Sequence, residues 1–562
     1  MKLTEKYLYE IIKDHLINLY NEEISNSLFI QETNNSNFGD FQTNFAMINA
    51  KTLKKAPRKI AEEILENFPQ SDLITKVEIA GPGFINIFIS DDFVGEQLKK
   101  LGNEEIEFDL NTKGNVIIDY SSPNIAKPMH IGHLRSTVIG DAIKRIYRYL
   151  GYTVIGDNHL GDWGTQFGSL IVGYDRWLDK ENYKQNPIDE LERIYVKFTQ
   201  ESEKNVDLIE IAREEQRKLQ SGDERNTKLW KEFIEVSLKD YEKIYKRMDI
   251  DFDTYYGESF YHNIMKDVVK DLIEKNIAFE DDGALVVSFD DDNLPNCIVR
   301  KSNGSFLYTT SDLACIKFRR ENYDINRLIY VTDQRQQTHF KQVFTIADNL
   351  GWNEKKDHVY FGLMRFVDGV FSTRKGNVIK LKELLDKATQ EAEKILLERN
   401  SNKENLKEKA EIIGVGAVKY ADLSQNRTSD IIFDWEKMLS FNSNSSPYLQ
   451  YTYARINSLI KKSDLNDIQE IYIFENDYEK NLAKNLLKFP NAVMRAGENY
   501  KPNLLTDYLY ELAQTFNSFY NNVRVLNAEG KYLESKLALC KKTAYVLEKG
   551  LNLLGIKTLE EM

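Results

Sequence analysis

The sequence predicts a multidomain chain: a small α+β domain at the N-terminus, a Rossmann-like α/β domain in the middle, and an all-α helical bundle at the C-terminus. Three observations carry this expectation. At 562 residues the chain exceeds what one hydrophobic core organises. From residue 115 short apolar runs alternate with helical spacing, the texture of a parallel sheet. From about 375 to the end the pattern is helical almost throughout.

Residues 1–108 open with MKLTEKYLYEIIKDHL, an amphipathic helix that carries Glu5, Glu10 and Asp14. A turn-rich segment, TNNSNFGDFQTN, and a basic helix-like run follow. The apolar residues of FINIFI, flanked by Gly81, Pro82 and Gly83, then predict a strand. In 109–440, Val116, Ile117 and Ile118 read as a buried strand. Leu134, Val138, Ala142, Ile146 and Leu150 mark a helix ended by Gly151, and YTVI at 152–155 is the next strand. Strand, helix and strand in under 45 residues make a βαβ unit. Further strands are expected at 327–332 and 358–364, with a helix from Phe340 to Leu350 between them. The charged, glycine-poor stretch at about 175–260 reads as a helical insertion. Residues 441–562, with PYLQYTYARINSLIKK and LLTDYLYELAQTFNSFYNNV, read as the bundle.

Apolar content of 42% and charged content of 29% fit an ordinary globular protein. No apolar run approaches the ~20 residues that cross a bilayer, and the acidic N-terminal helix argues against a secretory or transit segment. Cys297, Cys315 and Cys540 are scattered, which excludes a four-thiolate structural zinc and suits a reducing cytoplasm. The net charge of −13 argues against indiscriminate nucleic-acid coating. Residues 441–562 hold 15 Lys+Arg against 14 Asp+Glu, so the acidity is concentrated elsewhere.

A Rossmann dinucleotide site would place GxGxxG after the first strand. This chain has SSPNIAKPMHIGH at 121–133 instead. His130 and His133, three apart at a helix start, can project from one face. Two imidazole donors above the positive end of a helix suit a phosphate, above all one gaining charge during transfer. Gly132 leaves room for a purine or ribose, and Lys127 adds a cation. The plainer alternatives are a helix cap or a metal pair, and for metal no third ligand is in sight.

The HIGH string is the signature of class I aminoacyl-tRNA synthetases, and DYSSPNIAKPMHIGHLRSTVIGD resembles the arginyl-tRNA synthetase form. GDWGTQFG at 161–168, FSTRKGN at 371–377 and SSPYLQYTYARI at 445–456 are similar to the same family, and the resemblance runs along the whole chain. It implies a class I catalytic domain over 109–440, an N-terminal tRNA-contacting domain and an anticodon-binding bundle. It implies ligation of L-arginine to its cognate tRNA through an arginyl-adenylate, with Mg–ATP as cosubstrate, arginine activation that depends on bound tRNA, and no structural zinc. A cytoplasmic monomer is expected.

By the same resemblance, His130, His133 and Lys127 are the catalytic groups, joined by Arg374 and Lys375. These two lie in a degenerate KMSKS-type loop, 370–376, where Val370 and Thr373 replace lysines. ATP would meet His130, Gly132, His133, Gly161 and Asp162. Arginine would meet Asp119, Ser122, Asn124, Tyr308, Asp312 and Gln336. A guanidinium never loses its proton, so its pocket requires carboxylates, and Asp312 four residues after Tyr308 shares a helical face with it. The plain alternative for Asp312 is a helix cap. The five cations of KTLKKAPRK, with Phe41, Asn44 and Phe45 nearby, suggest a surface that grips tRNA backbone and stacks a base, through Phe41, Asn44, Lys54, Lys55 and Arg58. Its alternative is a solvated basic face. Other class I synthetases, a small adenylyltransferase and an inactive RNA-binding relative are the competing readings.

Overall fold

The computed structural model describes residues 1–33, 36–108, 110, 112–290, 294–366, 379–399, 404–465 and 467–562. Near the N-terminus, helix Thr4–Leu19 buries Leu8, Ile12 and Leu16, one stripe at i, i+4 spacing. It belongs with a four-stranded antiparallel sheet in the order 31–32, 41–43, 84–89, 74–80. The FINIFI segment is the inner strand Phe84–Ile89.

The central sheet is parallel, in the order 355–358, 325–330, 115–119, 153–157. Its first strand, Asn115–Asp119, therefore has its successor on one side and the third strand on the other. Crevices at the carboxyl ends of strands form where the order reverses in this way. Register aligns Asp119 with Tyr330 and Asp157, and Tyr330 with His358, so these residues form one row at that end. The last strand is Lys355–His358, not the apolar run at 358–364. KKDH forms a polar edge, whereas Val359 and Phe361 are buried in the connection that continues inward. A three-stranded antiparallel sheet at 279–281, 284–287 and 297–300, absent from the sequence expectation, lies beside it in the chain.

Helix Ile131–Tyr149 buries Leu134, Val138, Ala142 and Ile146. Its far end receives the C-terminal helices: a Cβ at Gly497 would meet Leu150 Cδ1 at 2.7 Å, so glycine permits this close approach. Arg135, on the same helix, is buried against Asp422 at 3.2 Å and donates to the Gly362 carbonyl at 2.7 Å. The bundle comprises helices Ser446–Lys461, Asp477–Leu487, Phe489–Glu498, Pro502–Asn522 and Gly530–Leu553. No helix among the described residues is long and apolar enough to cross a membrane.

Candidate active site

Beyond Asp119 the backbone takes three left-handed residues without glycine: Ser121 at φ 73°, Ser122 at 50° and Ala126 at 64°. Each such residue costs on the order of 1 kcal/mol or more, and persists where neighbours over-determine it. Here the neighbours are side chains. The amide of Ser121 donates to Ser136 Oγ at 2.9 Å, that of Ser122 to Asn158 Oδ1 at 3.1 Å, and that of Ala126 to Ser237 Oγ at 2.9 Å. The Tyr241 hydroxyl donates to the carbonyls of Asn124 and Lys127 at 2.6 and 2.8 Å. Ser237 and Tyr241 lie on helix Glu224–Arg247, within the stretch read as an insertion. That stretch buttresses the turn.

Both histidines cap the helix, as the plainer reading held. His130 Nδ1 accepts from the Gly132 amide at 3.0 Å, and His133 Nδ1 accepts from the His130 amide at 3.1 Å. A nitrogen that accepts carries no proton, so in the neutral ring the proton sits on Nε2. Burial, then the charge of Lys127, lowers His130, and burial with the neighbouring His130 lowers His133 to about 3. The pair is neutral, its ring centroids 3.9 Å apart, and each ring keeps one Nε2–H as donor. Gly132 is needed for the cap itself, because a Cβ there would meet the His130 ring at 2.8 Å.

Lys127 is half-buried with its ammonium 4.5 Å from the Tyr195 ring centroid, and no carboxylate pairs with it among the described residues. Lys380 is already paired with Asp189 at 2.8 Å and Glu192 at 2.9 Å. The backbone of Ile379–Leu381 bonds to that of Met129–Ile131, which ties the chain after residue 378 to the histidine turn. The 370–376 loop, with Arg374 and Lys375, lies outside the described residues.

Gly161 bridges the turn: its amide donates to the Pro123 carbonyl, and its carbonyl accepts from the Ile125 amide, each at 3.1 Å. Asp162 turns the other way and requires a correction. It is buried, and its carboxylate accepts from the Ser259 amide at 2.8 Å and hydroxyl at 2.6 Å, so both oxygens are engaged in bracing the 257–261 turn.

The expected arginine set divides in two. Asp119 is buried and already paired, because Arg319 Nη2 lies 2.6 Å from both Asp119 and Asp157. Its other oxygen accepts from Ser122 Oγ at 3.2 Å. Two carboxylates share this one guanidinium, so the triad keeps a net negative charge, and Asp119 meets any ligand with Arg319 already beside it. Asn124 and Gln336 are exposed. Tyr308 opens helix Tyr308–Asn322 and is 72% exposed. Asp312 lies within that helix, four residues past its first, so it is no cap. It accepts from His339 Nε2 at 2.5 Å.

Two further groups meet Asp312 that sequence reasoning missed. His339 follows Gln336 by three residues, a spacing that offered a signal. Burial opposes its charge, but the hydrogen bond and the charge of Asp312 outweigh that and raise its pKa. Glu258 is pushed up to about 7 by burial, with Asp312 and Asp162 adding to the rise against the opposing pull of His159. Asp119, His159 and Cys315 bring ligand-type atoms within 4.8 Å of one another, the one such group among the described residues. With Asp119 taken by Arg319 they form a poor metal site.

The tRNA expectation also needs correction. Phe41 and Phe45 are buried core residues, and Asn44 is half-buried with its Oδ1 enclosed, so none offers a stacking face. Strand Phe41–Thr43 alternates buried and half-buried positions and turns its phenyl ring inward. The cations do remain at the surface. Lys55 pairs with Glu63 at 2.7 Å, Arg58 lies 3.6 Å from Glu62, and Lys54 has no ion pair among the described residues.

A parallel nucleotide-binding sheet, a histidine pair capping the helix after its first strand, and a helical bundle docked on that helix define a class I aminoacyl-tRNA synthetase. Residues 97–435 match the family model for class I (R) tRNA synthetase catalytic domains. Residues 449–562 match the DALR anticodon binding domain, and 6–89 the arginyl tRNA synthetase N-terminal domain. An arginine–tRNA ligase of Fusobacterium nucleatum is 58% identical across 100% of both chains, and one of Haemophilus influenzae is 41% identical across 99% of this chain and 100% of its own. The crystal structure of the Plasmodium falciparum arginyl-tRNA synthetase superposes with a TM-score of 0.84 at 31% identity, covering 100% of each chain. The chain belongs to the arginyl-tRNA synthetase family. As a class I synthetase it charges tRNA through an aminoacyl-adenylate made from ATP.

Proposed function

We propose that this chain ligates L-arginine to its cognate tRNA by positioning and charge neutralisation, with no general base needed for the first step. The arginine carboxylate attacks the α-phosphorus of Mg–ATP, the bond to the bridging oxygen breaks, and pyrophosphate leaves. A carboxylate is already ionised, so no proton has to move. The Nε2–H groups of His130 and His133 donate to phosphate oxygens as charge grows on them, and Lys127 supplies the cation that the degenerate loop lacks. Asp312 takes the guanidinium, with Tyr308 and Glu258 beside it. The terminal adenosine of tRNA then attacks the adenylate carbonyl through its 2′-hydroxyl, the bond to phosphate breaks, and AMP leaves as its phosphate or solvent takes the hydroxyl proton. The exposed cations Lys54, Lys55 and Arg58 hold tRNA backbone. All these parts lie in one chain, which supports a working monomer, read here as cytoplasmic and without structural zinc.

One observation carries the reading: both Nδ1 atoms are spent on the first helical turn, so each imidazole is locked neutral with its Nε2–H free for a ligand. ATP–pyrophosphate exchange with a panel of amino acids, with and without tRNA, tests it. Exchange should appear with arginine and depend on tRNA. Exchange with another amino acid, or with none, overturns the specificity, and equal rates without tRNA remove the tRNA dependence.

A further inference from the structure

The Asp312 carboxylate already has a partner in the fold. His339 Nε2 donates to it at 2.5 Å, and both side chains are about three-quarters buried, with relative side-chain exposures of 26% and 21%. A guanidinium that joins this carboxylate while an imidazolium holds it would set two cations side by side against one negative charge. We propose that His339 is a positioning residue that holds Asp312 as a protonated placeholder and surrenders its proton to solvent when the arginine guanidinium takes its place. The proposal rests on Asp312 as the guanidinium partner.

The charge balance supports the exchange. One cation replaces another against a single carboxylate, so the site keeps its net charge and one proton goes to buffer. The groups facing the pair favour this direction. His358, on the neighbouring strand, bonds to Thr332 Oγ1 at 2.8 Å and is held neutral near 4 by burial and then Arg427, so it cannot accept the proton at neutral pH. Asp333 is occupied by Arg335 at 2.8 Å. Glu258 faces Asp312 from the 258–261 turn and is the one competing source of a proton. Once His339 loses Asp312, burial alone acts on it and drives its pKa below the ordinary histidine value. The proton then leaves.

The test is calorimetric titration of the whole enzyme with L-arginine at pH 6 in buffers of different ionisation enthalpy. The wild type should release up to about one proton per arginine, and arginine affinity should rise several-fold, up to tenfold, per pH unit between 6 and 7. His339→Gln should bind arginine with release near zero and a flat pH profile. Heat independent of buffer in the wild type overturns the proposal. So does release that survives in His339→Gln but vanishes in Glu258→Gln, which would make Glu258 the proton source. Asp312→Asn separates the two layers: undiminished arginine binding there sinks the reading of Asp312, whereas lost binding together with buffer-independent wild-type heat sinks only the exchange.

Discussion

At the nucleotide turn, side chains are fixed by backbone within the same few residues. His130 is held by the Gly132 amide and His133 by the His130 amide, two and three positions away. At the arginine slot the opposite holds. Asp312 is set by His339, 27 residues on, and coupled to Glu258, on a separate turn before the antiparallel sheet. The two histidines are fixed within one helix start, while the turn before them is braced from afar by Asn158, Ser237 and Tyr241. The second site is assembled from several elements, and its proposed acid, Asp312, is held there by His339. On the proposed assignment, a local cradle for the common nucleotide and a composite slot for the particular amino acid place the shared chemistry and the specificity in different kinds of structure.

The largest break in this comparison comes from Asp312→Asn. Removing the charge that meets a desolvated guanidinium should weaken arginine by about 10³-fold while leaving the ATP KM within a few-fold, measured by steady-state kinetics. An equal loss for both substrates would mean that the two sites are one. Next is His133→Ala, which should lower kcat by ~10²–10³ if its Nε2–H meets transition-state charge. Loss of the cap alone would give only ~1 kcal/mol of stability and little change in kcat.

The same residue predicts a pH effect. His133 titrates near 3 in the folded chain and near 6.5 when unfolded, so between these values only the unfolded chain takes the proton. Its stability contribution is complete above pH 6.5 and is lost as pH falls toward 3. At pH 5 the loss is about 2 kcal/mol, seen as a drop in the urea midpoint that His133→Asn should lack. The same drop in the variant would assign the slope to other groups.

Much of the nucleotide turn was legible because its logic is local: HxxH after a buried strand specifies where the histidines stand. The direction of a side chain was legible only where its partners lie close in the chain. Asp162 read as a ligand residue because nothing in GDWG reveals Ser259, nearly a hundred residues away. Asp119 read as a free acid because Arg319 is reached only through the fold. Phe41 precedes the basic run that begins at Lys51, and strand alternation turns it into the core. Helix spacing located the bundle and the core face of Ile131–Tyr149, whereas the apolar run at 358–364 mimicked a strand although the ladder uses the polar KKDH before it.

The smallest effect belongs to the N-terminal surface. Lys54→Ala should weaken tRNA a few-fold and reduce the salt slope of binding by about one, as filter binding across salt concentrations would report. Phe41→Ala should instead destabilise the fold by ~3–5 kcal/mol without a selective effect on tRNA. A selective loss of tRNA binding in that variant would return the ring to the surface.

The proposed chemistry depends most on two imidazoles that are neutral and protonated at Nε2. With only seven histidines in the chain, ¹⁵N NMR of histidine-labelled enzyme reads the tautomers directly. For His130 and His133 the prediction is an unprotonated Nδ1 and a protonated Nε2 at neutral pH, with the Nε2 signals moving when a non-hydrolysable ATP analogue binds. A protonated Nδ1, an imidazolium, or signals indifferent to the nucleotide would contradict it.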